Sequence, residues 1–188
     1  ALSVSGNGLV VVGHDKGGFT PEEISKFAQN LILVSEDPLS FEESIPHAAI
    51  FLADEKVRNF LKPEFVIVIG RTTLSRSLNA FLNLAEKQYV IDKKAKITDT
   101  KRSATKIFDQ LPNLDIQNIS ENYRRDFEIA SQNSKQNLPW SEAKFAQILA
   151  RALPKSAALF VGSSRPIRDL EAFAESRSDL TIFANRGL

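Results

Sequence analysis

Phe65-Val66-Ile67-Val68-Ile69-Gly70 is a run of five apolar residues, an aromatic followed by four β-branched side chains, closed by glycine. No polar face interrupts it. Such a run predicts a central parallel strand covered by helices on both sides. Similar short runs lie on either side: Leu9-Val10-Val11-Val12-Gly13, Leu31-Ile32-Leu33-Val34, Tyr89-Val90-Ile91-Asp92, Ala158-Leu159-Phe160-Val161-Gly162 and Leu180-Thr181-Ile182-Phe183-Ala184. Helical patterns separate them. Thr20-Pro21-Glu22-Glu23 supplies a cap, a proline in the first turn, acidic residues near the positive end of the dipole, and capping-box spacing. Apolar residues recur at helical spacing at Ile50, Ala53, Val57, Phe60 and Leu61, and again at Leu74, Leu78, Phe81, Leu82 and Ala85. Further helices are expected over residues 119–136, from Trp140 to Leu153, and from Pro166 to about Ser176. The stretch from Lys93 to Lys106 is polar, basic and aperiodic, and reads as a surface connection. Strands alternating with helices predict a single α/β domain: a six-stranded parallel sheet with helices on both faces.

Composition narrows the function. The 188 residues carry 24 Lys and Arg against 23 Asp and Glu, a net charge of +1, which gives no support for binding a nucleic-acid backbone. There is no Cys, hence no disulfide framework, thiolate metal site or Cys nucleophile, and two His make a structural zinc site implausible. No apolar run approaches the roughly 20 residues of a membrane span. The first residues lack the basic and apolar regions of a secretory leader. The sequence contains no Met, so either an initiator was removed or this is a piece of a longer chain.

Ligands of open parallel sheets bind beyond the carboxyl ends of the strands. The turns there are Gly13-His14-Asp15-Lys16-Gly17-Gly18, Gly70 through Arg76, Gly162-Ser163-Ser164-Arg165-Pro166-Ile167-Arg168 and Asn185-Arg186-Gly187, and each carries a cation. The third is the most informative. With Pro166 at the first helical position, Arg165 takes the cap and Arg168 the first turn, where a cation opposes the helix dipole. That placement makes sense if an anion is shared among guanidinium, backbone N–H groups and the Ser163 or Ser164 hydroxyl. The plainer reading pairs Arg168 with Asp169 or Glu171, or lays it along the surface. Neither a dinucleotide fingerprint nor a Walker loop is present. His14 has no serine and acid that would suggest a triad; Asp92 reads as a turn residue and His47 as a helix-start residue. Anion recognition without an acid, base, nucleophile or metal ligand describes a binding domain.

Leu159-Phe160-Val161-Gly162-Ser163-Ser164-Arg165-Pro166-Ile167-Arg168-Asp169-Leu170, followed by Ala184-Asn185-Arg186-Gly187, resembles the 2-succinyl-5-enolpyruvyl-6-hydroxy-3-cyclohexene-1-carboxylate synthases, thiamine-diphosphate enzymes of menaquinone biosynthesis. Glu36-Asp37-Pro38-Leu39-Ser40, the stretch from Val68 to Leu78, and Pro139-Trp140-Ser141-Glu142 agree with the same family. The resemblance covers the whole chain but only the central third of such an enzyme. It implies that residues 1–188 are an excised, Rossmann-like central domain, inactive alone, with the pyrimidine-binding and diphosphate-binding domains, the catalytic Glu and the metal motif lying elsewhere.

The family reaction decarboxylates 2-oxoglutarate on thiamine diphosphate with magnesium and adds the succinyl unit to isochorismate, in a cytoplasmic, homo-oligomeric enzyme. By resemblance, Arg168 and Ser164 bind a substrate carboxylate with Ser163 beside them, Arg186 holds substrate or the rim, and Arg76 lies near the same anionic groups. Three positions depart from the family: Ser163 stands in place of Asn, Arg165 in place of an apolar residue, and Ser77 where some members carry a second base. Two other readings remain: a stand-alone Rossmann-like module for a nucleotide or small anion, and the middle domain of a different thiamine enzyme.

Overall fold

The computed structural model describes residues 1–94 and 104–185. Most of the basic stretch 93–106, together with Arg186, lies outside them. In chain order the elements are β1 (Leu2–Ser5), β2 (Gly8–Val12), α1 (Pro21–Ala28), β3 (Ile32–Ser35), α2 (Ala48–Phe51), α3 (Glu55–Phe60), β4 (Phe65–Ile69), α4 (Arg76–Leu82), β5 (Lys87–Ile91), β6 (Lys106–Phe108), β7 (Leu114–Gln117), α5 (Glu121–Asn133), α6 (Glu142–Ala152), β8 (Ala158–Val161), α7 (Arg165–Phe173) and β9 (Thr181–Ala184).

Five strands form one parallel sheet in the order β3-β2-β4-β5-β6. Every residue of β2 and β4 is buried, as the two-faced apolar runs require. Alternate residues serve opposite layers. Leu9, Val11, Val66 and Val68 pack with Phe51, Leu52, Phe81 and Phe127, whereas Val10, Val12, Ile67 and Ile69 pack with Phe19, Ile24 and Phe41. Phe127 of α5 centres the first layer. The rings of Phe51, Phe81 and Tyr123 meet it edge-on, with centroids 5.9, 6.0 and 5.2 Å away. The Tyr123 hydroxyl donates to Leu61 O at 2.8 Å, and burial pushes its pKa up.

The expected sheet of six strands requires correction. The α/β architecture stands, but β8 and β9 pair only with each other. The reason is local to β3. Its outer edge is taken by the returning chain: Ile45 N–H donates to Leu33 O at 2.8 Å, and Ser35 N–H donates to Ser44 Oγ at 3.1 Å. No strand can dock where those groups are already paired. A third cluster, containing Leu39, Leu74, Ile167 and Leu170, packs this unit against the strand-end loops instead.

Three short strands were not anticipated. β1 and β7 form a parallel pair, with Leu2 and Val4 joining the second layer, and β6 adds to β5. At three or four residues they are too short to carry a clear period. The helix expected from Ile50 to Leu61 is broken. Asp54 accepts from Lys56 N–H at 2.8 Å and starts a new helix, which leaves Phe60 74% exposed. The Thr20–Glu23 capping box of α1 forms as its spacing predicts.

Because Phe127 is fully buried and shared by three rings, Phe127→Ala should lower unfolding free energy by about 3–5 kcal/mol in urea denaturation.

Candidate functional site

The site is built where the strands end. β2 gives way to Asp15 and Lys16, β3 to Glu36 and Asp37, and β4 to Gly70 and Arg71. The turn after β4 is packed tightly. Gly70 has φ +74°, and a side chain there would collide with the Asp15 carboxylate and the Gly17 amide.

Glu36 organises these loops. Only 1% exposed, it accepts from Leu74 N–H at 2.7 Å through Oε1 and from His14 N–H at 3.3 Å through Oε2. Burial raises its pKa above the ordinary 4.5, while the backbone N–H groups of Leu74, Thr73, His14 and Ser75 pull it back. One carboxylate thus ties together the ends of β2, β3 and β4.

The neighbouring charges are also internally matched. Lys16 Nζ meets Asp37 Oδ2 at 2.7 Å, and Asp37 also accepts from Ser40 Oγ at 2.6 Å. Arg71 donates to Asp15 through its backbone N–H at 2.9 Å and its Nε at 3.3 Å. Asp92 accepts from Lys94 N–H at 2.6 Å, the turn role read from the sequence. His47 opens α2 as expected, but it is buried. Its Nδ1 lies 2.9 Å from Ala172 O and its Nε2 3.4 Å from Glu175, tying α2 to the end of α7.

At the start of α7 the capping assignment is corrected by one residue. Ser164 is the N-cap, Arg165 opens the helix and Pro166 follows, because the chain turns at Ser164 itself. Ser164 has φ +73° and ψ −125°, a conformation costly for a residue with a Cβ, and its hydroxyl makes no capping bond. Arg165 is matched within the chain, 3.2 Å from Glu142 and 3.3 Å from Asp169. Arg168 is different. It is exposed and, among the described residues, has neither an ion pair nor a hydrogen bond, so it is not engaged by Asp169 or Glu171. Arg76, at the start of α4, is likewise exposed and unpaired among the described residues. Ser163 is exposed beside Ser164.

Leu74, two residues before Arg76, shares a buried cluster with Ile167 and Leu170, which flank Arg168 in sequence. The turn into α4 therefore packs against α7. Two hollows flank this region. One, of about 240 Å³, is lined by Phe145, Leu149, Phe160, Gly162, Arg165 and Pro166. The other, of about 340 Å³, lies between His14, Lys16 and Arg71 on one side and Phe160, Ile182 and Phe183 on the other.

The sequence reading missed Glu36 and Arg177. Arg177 donates to Ala150 O at 2.6 Å and Leu153 O at 3.1 Å, closing the end of α6, and forks onto Asp179 at 2.6 and 2.7 Å. That pairing holds the Asp179 pKa down. The available signal for Glu36 was an acidic pair at the end of a strand that is apolar up to Ser35.

These features define an α/β domain with a rim of charged and polar side chains at the carboxyl ends of its strands. Residues 2–161 match a family described as the middle domain of thiamine pyrophosphate, and the chain belongs to that family. It is 32% identical over 216 residues to the 2-succinyl-5-enolpyruvyl-6-hydroxy-3-cyclohexene-1-carboxylate synthase of Geobacillus thermodenitrificans, covering 99% of this chain and 36% of that protein. The synthase of Haloarcula marismortui is 25% identical, with 100% and 36% covered. That of Thermobifida fusca is 32% identical over 135 residues, with 68% and 24% covered. The chain thus spans little more than a third of the first two relatives and about a quarter of the third.

The raised pKa of Glu36 has a testable sign. Relative to Glu36→Gln, the native chain's stability is greatest below about pH 4.5, the unfolded-state value, and is lost as pH rises through the higher folded-state pKa. Thermal unfolding of both proteins across pH 4–8 checks this.

Proposed function

We propose that this chain is the middle domain of a thiamine-diphosphate-dependent synthase that decarboxylates 2-oxoglutarate and adds the succinyl unit to isochorismate. The reading makes residues 1–188 a central domain between pyrimidine-binding and diphosphate-binding domains, in a cytoplasmic homo-oligomer. No helix among the described residues is long and apolar enough to cross a membrane. The observation that carries the reading is Arg168: a guanidinium unpaired among the described residues, one helical turn after the strained, exposed Ser164, within a chain that aligns over 99% of its length with one of these synthases.

Thiamine diphosphate would supply the carbanion chemistry when bound. Among the described residues no three His, Asp or Glu side chains gather as a metal site. In this reading the cofactor is held by the flanking domains, and no reaction step is assigned to this chain. Its part is recognition. Arg168 meets a substrate carboxylate, Ser164 and Ser163 offer hydroxyls beside it, and Arg76 adds positive charge on the adjoining turn; Arg186 is assigned to the same rim. A guanidinium grips a carboxylate through two parallel N–H donors, fixing orientation as well as adding affinity.

The stand-alone anion-binding module is the weaker reading. Lys16 and Arg71, the cations nearest the ends of the central strands, are already paired with Asp37 and Asp15.

In the full-length enzyme Arg168→Ala should reduce kcat/KM by about 30- to 1000-fold, a loss of about 2–4 kcal/mol. Arg168→Lys should recover part of it, and circular dichroism should be unchanged. Steady-state kinetics with both substrates check this; unaltered kinetics would remove Arg168 from the site.

A further inference from the structure

Leu74 is held from two sides. Its backbone N–H donates to Glu36 Oε1 at 2.7 Å, and the amides of Thr73 and Ser75 turn toward the same carboxyl group. Its buried side chain packs with Ile167 and Leu170 of α7. The next residues carry this position into α4. Ser75 caps the helix, accepting from Leu78 N–H at 3.1 Å, and Arg76 is the first residue beyond the cap. The body of α4 is fastened separately: Ser77 Oγ donates to Ala49 O of α2 at 2.8 Å, and Leu78, Phe81 and Leu82 are buried in the first layer. Asn79 reaches back to Ser75 O at 2.8 Å, but this joins α4 only to its own turn. At the α4 end of the turn, the hold that comes from the strand ends is Glu36. Arg76 follows Leu74 by two residues, and Arg168 lies between Ile167 and Leu170, so both exposed cations take their position from one joint.

We infer that Glu36 is a positioning residue for substrate: acting through Leu74, it sets Arg76 against Arg168 and so fixes the spacing of the two grips on carboxylate groups. The inference rests on the proposed function and adds to it a buried residue that touches no substrate. A guanidinium that offers two parallel donors to a carboxylate tolerates little displacement. A shift at Leu74 therefore weakens binding, while the bond-making steps, which the proposed function places outside this chain, keep their rate. Loss of the carboxyl group would loosen the turn without unfolding α4, because the ties of Ser77, Leu78 and Phe81 remain.

Two measurements on the full-length protein test this. Glu36→Gln keeps the size of the side chain but sets an NH2 donor against one of the backbone donors. Amide hydrogen exchange read by mass spectrometry needs no turnover: exchange over residues 73–78 should quicken about tenfold or more in Glu36→Gln, with α1 unchanged. Kinetics then separate positioning from plain stability. Glu36→Gln should raise KM for 2-oxoglutarate or isochorismate about tenfold and leave kcat within about twofold. In an Arg76→Ala background the same change should alter kcat/KM by less than about twofold, because the grip it serves is gone. Unchanged exchange over residues 73–78 would overturn the inference. So would an equal loss of kcat/KM in both backgrounds, the mark of a merely structural role. Should circular dichroism show Glu36→Gln unfolded, Leu74→Val takes its place in the same cycle, with the same expected and overturning results; it leaves the carboxyl group in place and trims the packing side of the joint. Unaltered Arg168→Ala kinetics would count against the proposed function, whereas failure of this inference keeps the Arg168 effect and loses only the coupling between Glu36 and Arg76.

Discussion

The Glu36 carboxylate is the contact on which the arrangement of the rim depends. Buried to 1% exposure, it joins loops leaving three strands by accepting backbone N–H groups, so the turn before α4 is held by the protein's own carboxyl group. Removing such an acceptor leaves buried N–H donors without partners, a costly state in a low-dielectric interior. The same loops bring Asp15 to Arg71 and Asp37 to Lys16. Charge at the ends of the central strands is therefore matched before any ligand arrives. What remains outward is displaced to the starts of α4 and α7, at Arg76 and Arg168.

This division gives the arginines separate tasks. Arg177 is structural, closing α6 through two carbonyls and gripping Asp179 with its fork. Arg71 and Arg165 are matched to nearby carboxylates. Arg168 alone combines exposure, freedom from partners among the described residues and a strained neighbour, Ser164. Backbone strain of that kind persists only where surrounding packing enforces it. Ile167 and Leu170, buried on either side of Arg168, supply that packing together with Leu74. The apolar side of α7 anchors the helix while its polar side presents the guanidinium.

Much of the fold was legible because its signals are local. The Val/Ile runs of β2 and β4 and the Thr20–Glu23 box each depend on residues a few positions apart. What escaped depends on distant partners. Nothing near β8 reveals that Ser44 and Ile45 already occupy the edge of β3. Nothing near Glu36 reveals that Leu74, 38 residues away, will donate to it. The candidate site divides the same way. Arg168 stood out as a cation placed against a helix dipole, a conflict visible in the sequence; Arg165 carries the same conflict, but Glu142 resolves it from another helix. Arg186 lies outside the described residues, so its share in the rim remains part of the proposal.

The central claim is that the rim's inner cations are matched internally while Arg76 and Arg168 are left for an acid from outside. Arginine modification of the full-length protein by phenylglyoxal, mapped by mass spectrometry with and without 2-oxoglutarate and isochorismate, tests it most directly. The account predicts rapid modification at Arg76 and Arg168, protection of Arg168 by substrate, and slow, substrate-independent modification at Arg71 and Arg177. Substrate protection at Arg71 with Arg168 labelled equally in both conditions would contradict it.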